Sequence, residues 1–148
     1  MEKQERKQTE EILAEIYRNT QLALQSIADI LPQVEDSETR ETLVSQHEEY
    51  EKFSAKAAML AKDKGLEVKE PNPFKKMMMW GSIKMNTLTD NSRSHIAEMM
   101  VQGTVMGITA LRASASQLSP EGNEDVIALL EELLAAEERF EKKWKEYI

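Results

Sequence analysis

The sequence contains no cysteine. Disulfides, thiolate zinc sites, iron–sulfur ligation and a cysteine nucleophile are therefore excluded, and nothing points to an oxidising compartment. Glycine and proline are sparse, with five and four in 148 residues. That is too few for a protein of many short strands and turns, which argues against an all-β fold. Five scattered glycines also make neither a phosphate loop nor a dinucleotide fingerprint, and no Gly-x-Ser-x-Gly elbow is present. No apolar run approaches the ~20 residues needed to cross a bilayer. The longest, around residues 99–111, is interrupted by Gln102, Thr104 and Thr109. The opening MEKQERKQTEE lacks the apolar stretch of a secretory signal, so a cytoplasmic location is expected. Basic charge is short as well: 19 Lys and Arg face 27 Asp and Glu, for a net charge of -8. The best basic clusters, Lys75–Lys76 and Lys142–Lys143, are too small to suggest a nucleic-acid partner, and the net acidity argues against a membrane surface.

What remains is a chain that is 31% charged and 41% hydrophobic, the balance of amphipathic helices in one ordinary domain spanning residues 1–148. Residues 1–8 are charged and expected to fray. Thr9 then reads as a cap, followed by an apolar stripe at Ile12, Ile16, Ala23, Ile27 and Ile30 that ends at Pro32. Asp36 and Ser37 begin a second helix, from about 38 to 64, with Gly65 as its terminator and Leu43, His47, Tyr50, Ala57 and Ala61 facing inward. Residues 66–90 form a long connection. Its loop LEVKEPNP precedes a short helix begun by Asn72–Pro73, with Phe74, Met77, Met78, Gly81, Met85 and Leu88 on one side and Trp80 beside them. Asp90, Asn91 and Ser92 offer a cap for a third long helix, about 93–118, whose inner face reads Ile96, Met100, Gly103, Gly107, Ala110 and Ser114, flanked by Met99, Met106 and Leu111. The last helix, about 124–147 with Asn123 as cap, presents Ile127, Leu130, Leu134, Glu137, Phe140 or Glu141, and Trp144.

The expected fold is thus an all-α four-helix bundle made of two antiparallel hairpins. An up-down bundle needs only about two to eight residues in its middle connection. The connection here is far longer, which favours a crossover that makes the second and third long helices parallel. The competing topology is an up-down bundle with the short helix lying on it as a lid.

In this organisation the chain resembles the ferritin-like superfamily over about residues 9–147. The stretch SHIAEMMVQGTVMGI, residues 94–108, is similar to a group of uncharacterised bacterial proteins in that superfamily. The resemblance implies a dinuclear iron or manganese centre built from a Glu on each of two helices and Glu-x-x-His on each of the other two. The sequence does not keep that set. Asn19 and Thr20 stand where the first helix would place its Glu. The second helix reads His47-x-x-Tyr50 with Val44 three residues before the histidine. The third offers Gly103, and the fourth keeps Glu137 but has Phe140 three residues on. No dinuclear centre and no cofactor are expected.

Several residues still carry candidate roles. Glu137 falls on the inward stripe, where a carboxylate is costly unless paired. It reads either as a metal ligand or ligand-anchoring acid, or as a boundary residue bonded to Tyr50 or Asn19 or turned to solvent beside Glu138. His47, Tyr50 and Glu137 could make a small polar cluster, and a reduced mononuclear metal site on His47 and Glu137, with redox or hydrolytic activity, is the alternative function. His95 reads as a cap-region side chain or a contact of Glu98. Gly103 and Gly107 each cost ~1 kcal/mol in a helix interior relative to alanine. They read as close helix approach, against Trp144 or Phe53, or as space for a ligand beside Tyr50 and Met106. Nine methionines, seven of them between Met77 and Met106, suit irregular packing or an adaptable apolar surface. The reading is a bundle with a binding or structural role. Its expected partners are a second copy of itself, a dimer first, and a small apolar ligand or a protein.

Overall fold

The computed structural model describes residues 3–67 and 90–148, and among these it is all-helical. Four long helices, α1 (Lys3–Ile30), α2 (Ser37–Asp63), α3 (Arg93–Ala115) and α4 (Glu124–Lys145), account for most of them, with a 3-10 turn at Leu31–Gln33. The short helix expected after Asn72, with Met77, Met78, Trp80, Gly81 and Met85, lies outside the described residues.

The helix ends show why the chain turns where it does. Asp36 caps α2, its carboxylate accepting from the backbone N–H of Thr39 at 3.0 Å and from the Thr39 hydroxyl at 2.7 Å. Arg93, the first residue of α3, donates Nε and Nη2 to the same carboxylate, both at 2.9 Å. One side chain therefore caps a helix and ties two helices together. Arg93 first, and Thr39 after it, hold the Asp36 carboxyl well below the usual carboxylate range. At the other end of α2, Gly65 adopts φ +69°. Its N–H donates to the Lys62 carbonyl at 3.0 Å, and that of Leu66 to the Ala61 carbonyl at 2.8 Å. These are the two bonds of a Schellman close, which needs the left-handed backbone that glycine adopts without strain. Ser92 caps α3 by accepting from the His95 N–H.

Two ends differ from expectation. α1 starts at Lys3, before Thr9, so residues 3–8 are helical. Thr9 is fully buried and donates its hydroxyl to Asn123 Oδ1 at 2.8 Å. Arg6 reaches across to the Gly65 carbonyl at 3.0 Å, placing a cation at the negative end of α2. Asn123 precedes α4 without a side-chain capping bond, because its amide donates to the Ser119 carbonyl and its oxygen accepts from Thr9.

The helices pack as a four-membered bundle. α1 runs antiparallel to α3, through Thr9–Asn123, Asn19–Gly107 and the Asn91 side chain on the Gln33 carbonyl. α2 runs antiparallel to α4, through Tyr50–Glu137, Lys56–Glu132 and Lys64–Asp125. The starts of α2 and α3 meet at the Asp36–Arg93 pair. α2 and α3 are therefore parallel. In the lid topology α3 would start beside the end of α2, at Lys64; instead Glu67 and Asp90 belong to opposite ends of the bundle.

One apolar cluster fills the middle. Leu13, Ile16, Ile27, Leu43, Ile96, Leu133 and Trp144 are entirely buried, and each such aliphatic side chain contributes about 1.5–3 kcal/mol against exposure. The inner face of α3 is rotated from the expected one. Thr104 and Leu111 are buried, Ala110 and Ser114 are half-buried, and Met106 is 42% exposed. On α4, Val126, Leu129 and Leu133 go inward, while Ile127 and Leu134 sit at the margin.

Candidate functional site: a polar chain in the bundle centre

Glu137 lies where α4 faces the middle of α2, and it is 1% exposed. Its Oε2 accepts from the Tyr50 hydroxyl at 3.0 Å. Tyr50 accepts in turn from the Gln46 amide nitrogen at 3.3 Å, and Gln46 Oε1 accepts from the Trp144 indole at 2.8 Å. The two helices hold this chain by simple spacing. Gln46 and Tyr50 are four apart on α2, while Glu137 and Trp144 are seven apart on α4, so each pair shares a face. The rings of Tyr50 and Phe140 meet at 5.3 Å and 54°, closing the apolar side.

The donor inventory gives this chain one direction. An indole N–H can only donate, so Gln46 must turn its oxygen to Trp144 and its nitrogen to Tyr50. Tyr50 then has its own proton free for Glu137. The chain ends there, because Glu137 Oε1 is buried and has no hydrogen-bond partner among the described residues. A bare charge in that position is costly. Burial accordingly raises the Glu137 pKa from 4.5 to about 8, with the Tyr50 bond pulling the other way. Tyr50 is also held well above its ordinary value, by burial first and by the neighbouring Glu137 charge second. At neutral pH the neutral acid is the favoured form of Glu137, and the terminal carboxyl can store or give one proton.

A second polar contact lies between α1 and α3. Asn19 is 6% exposed and donates Nδ2 to the Gly107 carbonyl at 3.3 Å. A Cβ on residue 107 would stand 2.9 Å from that nitrogen and 3.2 Å from Asn19 Oδ1. The space freed at Gly107 is thus filled by Asn19, and not by Trp144 or Phe53. Gly103 is buried one turn earlier. Thr20 and Thr104 are buried too, but their hydroxyls donate back to the carbonyls of Ile16 and Met100, leaving them satisfied within their own helices.

The structure does not bring His47 to this centre. Its side chain is 32% exposed and bonds Glu51 through Nδ1 at 2.9 Å, so the His47–Glu137 metal pair is not assembled. Gln46, its neighbour, holds the inward position. His95 lies 4.0 Å from Asp90 and not against Glu98, and its Nε2 is buried without a partner among the described residues. Of the ligand candidates, Tyr50 belongs to the polar chain and Gly107 to the Asn19 contact, while Met106 points outward. An open groove of about 550 Å³ between α2 and α4 reaches the chain at Gln46, past Thr42, Phe140 and Tyr147.

The dinuclear centre implied by the ferritin-like resemblance does not fit these residues. No group of three His, Asp or Glu able to hold a metal occurs among the described residues. A pair of divalent cations needs several anionic oxygens and imidazoles to balance and bridge it. Among the described residues the central layer supplies one carboxyl, a phenol and two side-chain amides, from Glu137, Tyr50, Gln46 and Asn19. The sequence alone pointed to Glu137 and Tyr50 but missed Gln46 and the Trp144 indole as parts of one chain. The four-residue spacing of Gln46 and Tyr50 was the available signal. Compared with known proteins, the chain matches no described family, no curated protein and no solved structure.

Proposed function

We propose that this chain is a ferritin-like bundle in which a directed hydrogen-bond chain replaces the dinuclear metal centre, and that its role is binding or structural, not metal-centred catalysis. The observation that carries this is the set of side chains around Glu137. Among the described residues, that carboxyl is joined by the Tyr50 hydroxyl, the Gln46 amide and the Trp144 indole, and no group of three His, Asp or Glu able to hold a metal is assembled there. A bridged pair of cations needs further carboxylates or imidazoles beside the first. The parallel arrangement of α2 and α3 supports the ferritin-like part of the reading, and the buried small-residue face of α3 supports the packing role of Gly107.

Oxidation of Fe(II) by dissolved oxygen in the presence of the purified chain tests this. The expected rate is that of buffer alone. Saturable acceleration by the protein, abolished in Glu137→Ala, would overturn the reading.

A further inference from the structure

The outer face of α3 carries less charge than those of α2 and α4. From residue 99 to 111 the helix carries no charge in a chain that is 31% charged. Val105 and Met106 are 40% and 42% exposed on that stretch, Gln102 and Thr109 are exposed beside them, and Val101 is only partly covered. The outer faces of α2 and α4 are instead studded with charge, as in Lys56–Glu132 and Arg139–Glu49. A solvent-facing helix normally carries its charged residues on that side. Here they are withheld over about 20 Å, at 1.5 Å per residue.

Two charges bound this face, and their placement says what fits it. Glu98 lies seven residues before Val105, is exposed, and has no ion pair among the described residues. Arg112 lies seven residues after Val105, is 58% exposed, and pairs with Glu138 through one nitrogen at 2.7 Å. We propose that this face is the contact between two copies of the chain, packed α3 against antiparallel α3 about a twofold axis near Val105. In such a pair, residue 98 of one copy lies opposite residue 112 of the other, because both are about 10 Å from the axis. Each copy then contributes one Glu–Arg pair, and the uncharged residues between them meet like with like. Arg112 keeps Glu138 on one side and takes Glu98 of the other copy on the second, as its several donors allow. Net charge favours this face over others: two copies of charge -8 repel, and only a stretch without acidic groups lets them approach without opposing carboxylates. The proposal extends the binding role above, yet its readouts do not depend on metal content or iron oxidation, so either can fail alone.

The absence of cysteine makes the test clean. Sedimentation equilibrium of the full chain at micromolar concentration is expected to give a dimer. Val105→Cys should then join two copies under a mild oxidant or a short bismaleimide, while Lys52→Cys on the outer face of α2 should not. Glu98→Arg should weaken the dimer by about tenfold or more, and Glu98→Arg combined with Arg112→Glu should restore it. Both charge changes are at exposed positions, and circular dichroism checks that the helices persist. A monomer overturns the proposal. So does a dimer that crosslinks at residue 52 or fails to crosslink at 105.

Discussion

Replacing Glu137 by glutamine separates the charge of this side chain from its shape. In the unfolded chain Glu137 titrates near 4.5, and in the bundle near 8. Between these values the folded protein holds a proton that the unfolded chain has released, so raising the pH draws the equilibrium toward unfolding. The stability linked to this group is complete below pH about 4.5, falls through the neutral range, and levels off above pH about 8. At about 1.36 kcal/mol per pH decade, the full loss is at most about 5 kcal/mol, a large part of the 5–15 kcal/mol typical of a folded domain. The glutamine side chain would still accept from Tyr50, and its amide nitrogen would stand where Oε1 now lies unpaired. Glu137→Gln is therefore expected to match the parent within about 1 kcal/mol near pH 5 and to exceed it by several kcal/mol near pH 8. Chemical denaturation followed by circular dichroism at a series of pH values reads this directly. The difference between the two proteins removes the opposite, low-pH contribution of Asp36, whose depressed pKa adds stability that is lost below about pH 4. Parallel profiles for the two proteins would refute the reasoning, since Glu137 would then be charged in the fold at neutral pH.

Three further substitutions probe the packing. Gly107→Ala gains about 1 kcal/mol of helix propensity but meets Asn19 at 2.9 Å. It should destabilise the parent by about 1–2 kcal/mol and should be neutral or stabilising when Asn19→Ala is already present. A thermal-denaturation cycle gives that sign change, and additive effects would contradict it. Trp144→Phe keeps an aromatic ring but leaves Gln46 Oε1 buried without its donor, for a loss of about 1–3 kcal/mol. The helical signal should persist in this variant, so urea titration suffices to measure the loss. Gly65→Ala places a side chain at φ +69° and should cost about 1–2 kcal/mol, read as a lower Tm; an unchanged Tm would show that the Schellman close is dispensable.

The long-range part of the fold was legible because it rests on local signals. The apolar spacing of α1 from Ile12 to Ile30, the Asp36 and Ser92 caps and the Gly65 terminator mark helices whatever the partner. The length of the middle connection already favoured parallel α2 and α3. What could not be read depends on contacts far along the chain. Between Leu43 and Tyr50, residues 46 and 47 both satisfy a spacing of three and four. The choice between them is made by the Trp144 indole, 98 residues away from Gln46, which supplies a donor for that amide and leaves His47 to Glu51. The polar stretch before Thr9 carries no apolar period, yet Arg6 finds the Gly65 carbonyl and Thr9 finds Asn123. Gly107 signalled a close approach correctly, but nothing local named Asn19 as the side chain that occupies it.

Hydrogen bonds among Trp144, Gln46, Tyr50 and Glu137 close the bundle centre where a metal pair would otherwise sit. Equilibrium dialysis of the purified chain against Fe(II) or Mn(II), followed by elemental analysis, addresses that centre most directly. The predicted content is well below one metal per chain and unchanged in Glu137→Gln. Two metals per chain, lost in that variant, would contradict it.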